Sequence, residues 1–182
     1  LLRLAVLAVS ANSAAQALIA SARGLGPPKP PRRGSATNAA MSATPGFFET
    51  LAAQCKAKDS YLCVGLDPRT ATAEEAHDVC CRLIDATKAH ACCYKPNAAF
   101  FEAHGAAGWA ALKGVTEKIH AVGSLCLLDC KRGDVGSTAQ AYAKACYDDL
   151  QADAVTLSPY LGYDAIQPFV TGQYAGKGAF IL

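Results

Sequence analysis

Acidic residues are missing from the first 48 positions of this 182-residue chain, which hold five basic ones, Arg3, Arg23, Lys29, Arg32 and Arg33. From Met41 onward the balance reverses to 12 basic against 15 acidic residues, so the body of the chain offers no basic patch for nucleic acid. Nine cysteines are present without a C-x-x-C pair, which removes zinc-ribbon, thioredoxin-like and haem-attachment readings. No G-x-G-x-x-G follows an apolar run, and neither a P-loop nor a G-x-S-x-G elbow occurs. Nicotinamide, nucleotide-phosphate-loop and serine-nucleophile chemistries therefore lack a sequence basis. His77, His90, His104 and His120 lie in or beside helix-period segments, none at ligand spacing from a cysteine or carboxylate, so no metal is expected. The longest uncharged stretch, Leu4 to Ala22, is interrupted by Ser10, Asn12, Ser13 and Gln16 and makes a poor membrane span.

What is there describes one globular domain. Apolar residues reach 52% against 18% charged, too apolar for wholesale disorder, and the length has room for a sizeable core. Alanine, at 38 residues, swells the apolar fraction without adding large side chains. Several cysteines sit inside apolar runs, as in Tyr61-Leu62-Cys63-Val64 and Leu125-Cys126-Leu127-Leu128, where they act as small hydrophobes. That usage fits a reducing compartment and thiols rather than a disulfide framework.

Residues 1–44 read as a disordered leader. Their Ala/Ser/Arg-rich, acid-free composition suits an organelle transit peptide, or translated non-coding sequence ahead of Met41. A Pro-rich linker from Gly24 to Gly34 follows, and globular patterning begins near Pro45. From there short apolar runs recur at Tyr61–Leu66, Ala91–Tyr94, Ser124–Leu128, Ala154–Leu157 and Ala179–Leu182, their starts 30, 33, 30 and 25 residues apart. Between them lie helix-period stripes: Ala76, Val79, Cys80, Leu83, Ile84 and Thr87; Trp109, Leu112, Val115, Ile119 and Val122; Thr138, Ala141, Tyr142, Ala145 and Cys146. Thr72 with Glu75 reads as a capping box ahead of the first stripe. Doubly buried strands alternating with helices predict a parallel α/β fold, either a doubly wound sheet or an eightfold barrel.

In both architectures chemistry gathers where strands end. The first four runs are followed by Asp67-Pro68-Arg69, Lys95-Pro96-Asn97, Asp129-Cys130-Lys131-Arg132-Gly133-Asp134 and Ser158-Pro159-Tyr160. A charge directly after a buried strand needs a partner or a charged ligand. Asp129 and Lys131 are two residues apart and share a face in extended chain, where Lys95 on the neighbouring strand can join them. Such a charged chain has large leverage in a dry pocket; the plain alternative is a set of salt bridges closing the rim.

These residues, in this order, resemble the orotidine 5′-phosphate decarboxylase family. The resemblance runs from about Phe47 to Leu182. It rests on Val64-Gly65-Leu66-Asp67-Pro68, on Lys95-Pro96-Asn97 with Phe100-Phe101-Glu102, on Asp129-x-Lys131-x-x-Asp134 with Val135-Gly136-Ser137-Thr138, and on Asp153 to Thr156 with Pro159-Tyr160-Leu161-Gly162. The Lys-Arg-Gly-Asp-Val-Gly-Ser-Thr version is similar to a bacterial-type branch. The resemblance implies a (β/α)8 TIM barrel, here incomplete, with about the first five βα units at residues 45–182. It also implies cofactor-free conversion of orotidine 5′-monophosphate to uridine 5′-monophosphate and CO2, the last step of de novo pyrimidine synthesis.

By the same resemblance Lys95, Asp129, Lys131 and Asp134 form the charged tetrad. Lys131 donates the proton to C6, Asp129 lies beside the scissile carboxylate, and Asp134 reaches in from the partner of a homodimer with shared sites. Asp67 and Thr138 match ribose and interface contacts, and Ser158 stands where the branch often has Asn. No membrane or nucleic-acid partner is implied. The enzyme is expected in the cytoplasm, or in an organelle if residues 1–40 are a transit peptide. A fused orotate phosphoribosyltransferase beyond the C-terminus is compatible with the resemblance. The phosphate-gripping loop is expected beyond Leu182, so the fragment alone is expected to be inactive. The alternatives are a Mg-dependent sugar-phosphate decarboxylase or synthase of the same superfamily, which shares the D-x-K-x-x-D pattern, and an inactive structural fragment.

Overall fold

A computed structural model describes residues 45–182 and the dipeptide Val6–Leu7. The leader and linker expected at residues 1–44 otherwise lie outside the described residues. Val6–Leu7 forms a two-residue strand, β1, parallel to the next strand, with Val6 opposite Cys63.

All five apolar runs become strands: β2 (Leu62–Leu66), β3 (Ala91–Pro96), β4 (Leu125–Arg132), β5 (Ala154–Leu157) and β6 (Gly178–Ile181). Every pairing is parallel, and the spatial order is the chain order, β1 to β6. A doubly wound sheet reverses direction at a switch point. Here the order never reverses, so the sheet is an arc of a singly wound barrel, and of the two architectures open to the sequence it is the barrel.

Helices cover the outer face. In α2 (Ala73–Thr87) Thr72 caps the first turn, its Oγ1 accepting from Glu75 N at 3.2 Å. The return arm of the expected box lands one residue early, Ala71 N donating to Glu75 Oε2. Ala76, Cys80 and Ile84 of α2 and Leu112, Val115 and Ile119 of α4 (Gly105–Ala121), which follows the short α3 (Ala98–Glu102), pack with Val64, Leu66, Tyr94, Cys126, Leu128, Val155 and Leu157 from the strands. Burying each large aliphatic side chain there stabilises by about 1.5–3 kcal/mol. Tyr94 is fully buried, its hydroxyl donating to Ile84 O at 3.0 Å, which satisfies the one polar atom the ring carries inward.

The stripe expected after β4 is out of phase. In α5 (Gly136–Lys144) and the π-helical turn Ala145–Asp149 that continues it, Thr138 and Ala141 are exposed, and the buried face is Ala139, Ala143, Cys146 and Tyr147. The buried set is itself spaced i, i+4, i+7 and i+8, an ordinary helical face; alanines on both sides of the helix, Ala139 and Ala143 buried and Ala141 exposed, leave the phase of the stripe open in the sequence.

The inner face has its own floor. Helix α1 (Phe47–Lys58) presents Phe47, Leu51 and Cys55, spaced four apart, to Cys63, Cys93, Leu127 and Ala154. Its bonds reach the starts of the strands: Phe47 N to Gly176 O before β6, Gln54 Nε2 to Gly123 O before β4, Lys58 Nζ to Ala91 O in β3. So α1 closes the N-terminal end of the arc. Gly178 makes this closure possible, because a Cβ there would lie 2.4 Å from the Phe47 ring and 2.7 Å from Ala154 Cβ.

Candidate active site

Strand alternation carries the apolar floor up into a polar mouth. Two residues beyond Cys93 is Lys95, two beyond Leu127 is Asp129, and two beyond Ala154 is Thr156. Lys95, Asp129 and Lys131, expected after the runs, thus lie within longer strands. Asp129 is 8% exposed and holds three hydrogen bonds. Lys95 Nζ donates to its Oδ2 at 2.9 Å, Lys131 Nζ to Oδ1 at 2.5 Å, and Thr156 Oγ1 to Oδ1 at 3.0 Å. Burial pushes the Asp129 carboxyl up, but the bonds from Lys131, Lys95 and Thr156 and the Lys95 charge outweigh it and hold the group below the ordinary carboxylate range.

Two lysines meet one carboxylate, and they differ in access. The Lys95 side chain is 15% exposed and that of Lys131 is 53% exposed. One ammonium is built in, and the other faces the open end.

The backbone at Lys131 is special. Its φ is 47°, a left-handed conformation that L residues rarely adopt. The pairing of β4 with β5 steps from Leu128 opposite Val155 to Arg132 opposite Leu157. Three residues, Asp129 to Lys131, therefore face the single residue Thr156 in a bulge. Beyond it the loop is pinned by Arg132, which pairs with Glu102 and lies 4.8 Å over the Tyr142 ring. Gly133 presses on β5, and a Cβ there would lie 2.7 Å from Ser158 O.

The remaining expected site residues share this end of the sheet but not the hydrogen-bonded group. Asp67 follows β2, half-buried, with Oδ1 buried and unpartnered among the described residues. Ser158 follows β5 and donates its N–H to Arg132 O at 2.7 Å. Asp134 Oδ1 accepts from Val135 N at 2.7 Å, and Asp134 makes no ion pair among the described residues. Thr138 is exposed in the first turn of α5. Sequence reasoning missed Thr156 as a site residue. Its signal is a hydroxyl at an inward position of the otherwise apolar run Ala154–Leu157.

The chain is similar to proteins of known name. A family model described as "Orotidine 5'-phosphate decarboxylase / HUMPS family" matches residues 60–182. A Roseiflexus castenholzii protein named orotidine 5′-phosphate decarboxylase is 50% identical over 144 residues, covering 75% of this chain and 52% of the relative. A protein of the same name from Herpetosiphon aurantiacus is 47% identical over 144 residues, covering 75% and 53%. Among solved structures, Leishmania donovani UMP synthase matches with TM-score 0.71 and 49% identity, over 76% of this chain and 30% of that one. Leishmania donovani OMP decarboxylase matches with TM-score 0.69 and 47% identity, over 75% and 52%. The chain spans about half the length of the curated relatives it matches.

Proposed function

The chain belongs to the orotidine 5′-phosphate decarboxylase / HUMPS family, and from that membership we propose that it forms part of an enzyme that decarboxylates orotidine 5′-monophosphate to uridine 5′-monophosphate. The observation that carries the reading is the Lys95–Asp129–Lys131 group at the barrel mouth. The curated relatives at 46–50% identity share the decarboxylase name.

The chemistry follows from the charges. Asp129, held ionised, lies beside the substrate carboxylate and disfavours it in the ground state, a repulsion relieved as CO2 leaves. The C6–carboxylate bond breaks with its electron pair left on C6. Lys131 Nζ, a preorganised ammonium, stabilises that charge and gives C6 its proton. Lys131 is half exposed and recovers a proton from solvent. Lys95 keeps Asp129 charged and in place. No electron sink beyond these groups is required. Asp67 and Ser158 at neighbouring strand ends contact the nucleotide.

We further read the enzyme as a homodimer in which Asp134 and Thr138 serve the partner's site. Supporting this, both stand apart from the Lys95–Asp129–Lys131 group of their own chain, and Val135, Tyr160, Leu161 and Tyr163 expose large apolar surface on the adjoining loops. Similarity to a UMP synthase, of which this chain covers 30%, is compatible with a fused orotate phosphoribosyltransferase. No helix among the described residues is long and apolar enough to cross a membrane. The cytoplasm is the proposed location, with an organelle the alternative if residues 1–40 direct import.

The test is turnover of orotidine 5′-monophosphate, followed by absorbance, in a chain that supplies the rest of the barrel, with and without a metal chelator. Decarboxylation unaffected by chelation is the expected result. Activity only on a sugar phosphate, and only with Mg²⁺, would overturn it in favour of the Mg-dependent sugar-phosphate alternative.

A further inference from the structure

The hydroxyl of Thr156 is the one polar side-chain group that β5 sends into the charged mouth, at 6% exposure. It accepts from Cys130 N at 3.1 Å and Lys131 N at 2.9 Å and donates to Asp129 Oδ1 at 3.0 Å. A hydroxyl has one proton and two lone pairs, so its bonding capacity is fully used. We propose that Thr156 is a positioning residue for the decarboxylation, its hydroxyl fixing the β4 bulge that sets Lys131 against Asp129.

Three consequences of the geometry support this. The bulge takes Cys130 and Lys131 out of the regular β4–β5 ladder, and Thr156 Oγ1 replaces the carbonyl partners their N–H groups would otherwise lack. Those bonds fall on the residue with left-handed backbone, so they hold the one strained dihedral of the site. Because both lone pairs are occupied by N–H donors, the hydroxyl proton is free only for Asp129, and it orients the carboxylate edge that Lys131 Nζ also contacts. The groups facing Asp129 are Lys95, Lys131 and Thr156, with the Cys130 thiol nearby, and of these only Thr156 reaches both the backbone and the carboxylate. The catalytic consequence rests on the proposed decarboxylase function; the hydrogen-bond geometry does not.

Thr156→Val keeps the shape and removes the hydroxyl, and Thr156→Ser keeps the hydroxyl and removes the methyl. Both are made in a chain that supplies the rest of the barrel. Two readouts are needed: the carboxyl titration of Asp129 by 13C NMR, assigned with Asp129→Asn, and steady-state decarboxylation. In Thr156→Val the Asp129 midpoint is expected to rise, and kcat to fall about tenfold or more while KM stays within about threefold. Thr156→Ser is expected to restore both. If Thr156→Val does not fold, Thr156→Cys, a weaker hydrogen-bonding group of similar size to Ser, is expected to move both readouts the same way.

An unmoved Asp129 midpoint with kcat within about twofold of the parent would overturn the proposal. So would equal losses in the Val and Ser variants, which would mark the methyl and its packing as what matters. A titration that moves as described in a parent protein without decarboxylase activity would leave the positioning role standing and remove the proposed function instead.

Discussion

Lys131 Nζ meets Asp129 Oδ1 at 2.5 Å while the Lys131 backbone sits in the left-handed region, φ 47°. The site thus holds its exposed ammonium on a backbone that prefers glycine. Function and stability should separate at this position. Lys131→Ala and Lys131→Gly are both expected to abolish turnover, since no other group places an ammonium at C6. Within a strand Gly is ordinarily less stable than Ala by about 0.5–1 kcal/mol. Here the order should vanish or reverse, because the left-handed conformation costs Ala about 1–2 kcal/mol. Urea denaturation of the two variants checks the stability order. More than about a tenth of parental kcat in either variant would refute the role given to Lys131.

Asp129 predicts an acid limb in stability. Its carboxyl is held below the ordinary range by Lys131, Lys95 and Thr156 despite burial. A group with a depressed folded value binds fewer protons folded than unfolded, so its contribution is complete above the unfolded value, about pH 4, and is lost as pH falls through the lower folded one. The stability gap between the parent and Asp129→Asn should therefore be constant from about pH 8 to 5 and shrink below about pH 4. A gap that instead changes between pH 6 and 8 would show another group titrating with it.

The shared site is open to a mixing experiment. An inactive Lys131→Ala protein combined with an inactive Asp134→Ala protein gives heterodimers with one site free of both changes and one carrying both. Activity should return to about a quarter of the parental value at equal mixing, because half of a random mixture is heterodimer with one good site in two. Confirmed subunit exchange without recovery would place Asp134 in its own chain's site.

Much of this arrangement is legible in the residues alone. The strands announce themselves because parallel strands buried on both faces read as continuous apolar runs, and Thr72 and Glu75 mark the first helix after β2. Lys95, Asp129 and Lys131 stand out because charge at the end of such a run demands an explanation. Periodicity does not separate barrel from open sheet, since both use the same βα unit; strand order decides it. The buried face of α5 and its continuation, Ala139, Ala143, Cys146 and Tyr147, also keeps a helical period; its phase stays hidden because alanine lies on both faces, Ala139 and Ala143 buried and Ala141 exposed. Thr156 stays hidden because a lone threonine in a strand fits ordinary β propensity, and its role emerges only when the β4 bulge brings three residues against it.

The cysteines give a prediction that needs no substrate. All nine are thiols, and eight of them are buried. Burial, with the charges of Cys81 and Asp67 nearby, pushes Cys80 up to about 12, and burial above all pushes Cys126 up to about 12. Cys55 is raised to about 11 by burial together with its contact with Cys92. Thiols of this kind are almost wholly protonated at pH 8; Cys63 and Cys130 are instead lowered, chiefly by hydrogen bonds with Cys93 and Cys146, and for them it is burial that closes the sulfur to reagent. Cys81 alone is partly exposed, on the α2 surface with His77 Nε2 at 3.6 Å; burial raises it, but Lys118 opposes the shift. An aromatic disulfide reagent at pH 8 should therefore modify one thiol quickly in the folded protein and the other eight only on unfolding. Cys81→Ser should remove the fast phase and leave the slow one intact. Several fast thiols in the folded state, or a fast phase surviving Cys81→Ser, would mean that the packing between strands and helices is looser than the buried Cys80, Cys126 and Cys146 require.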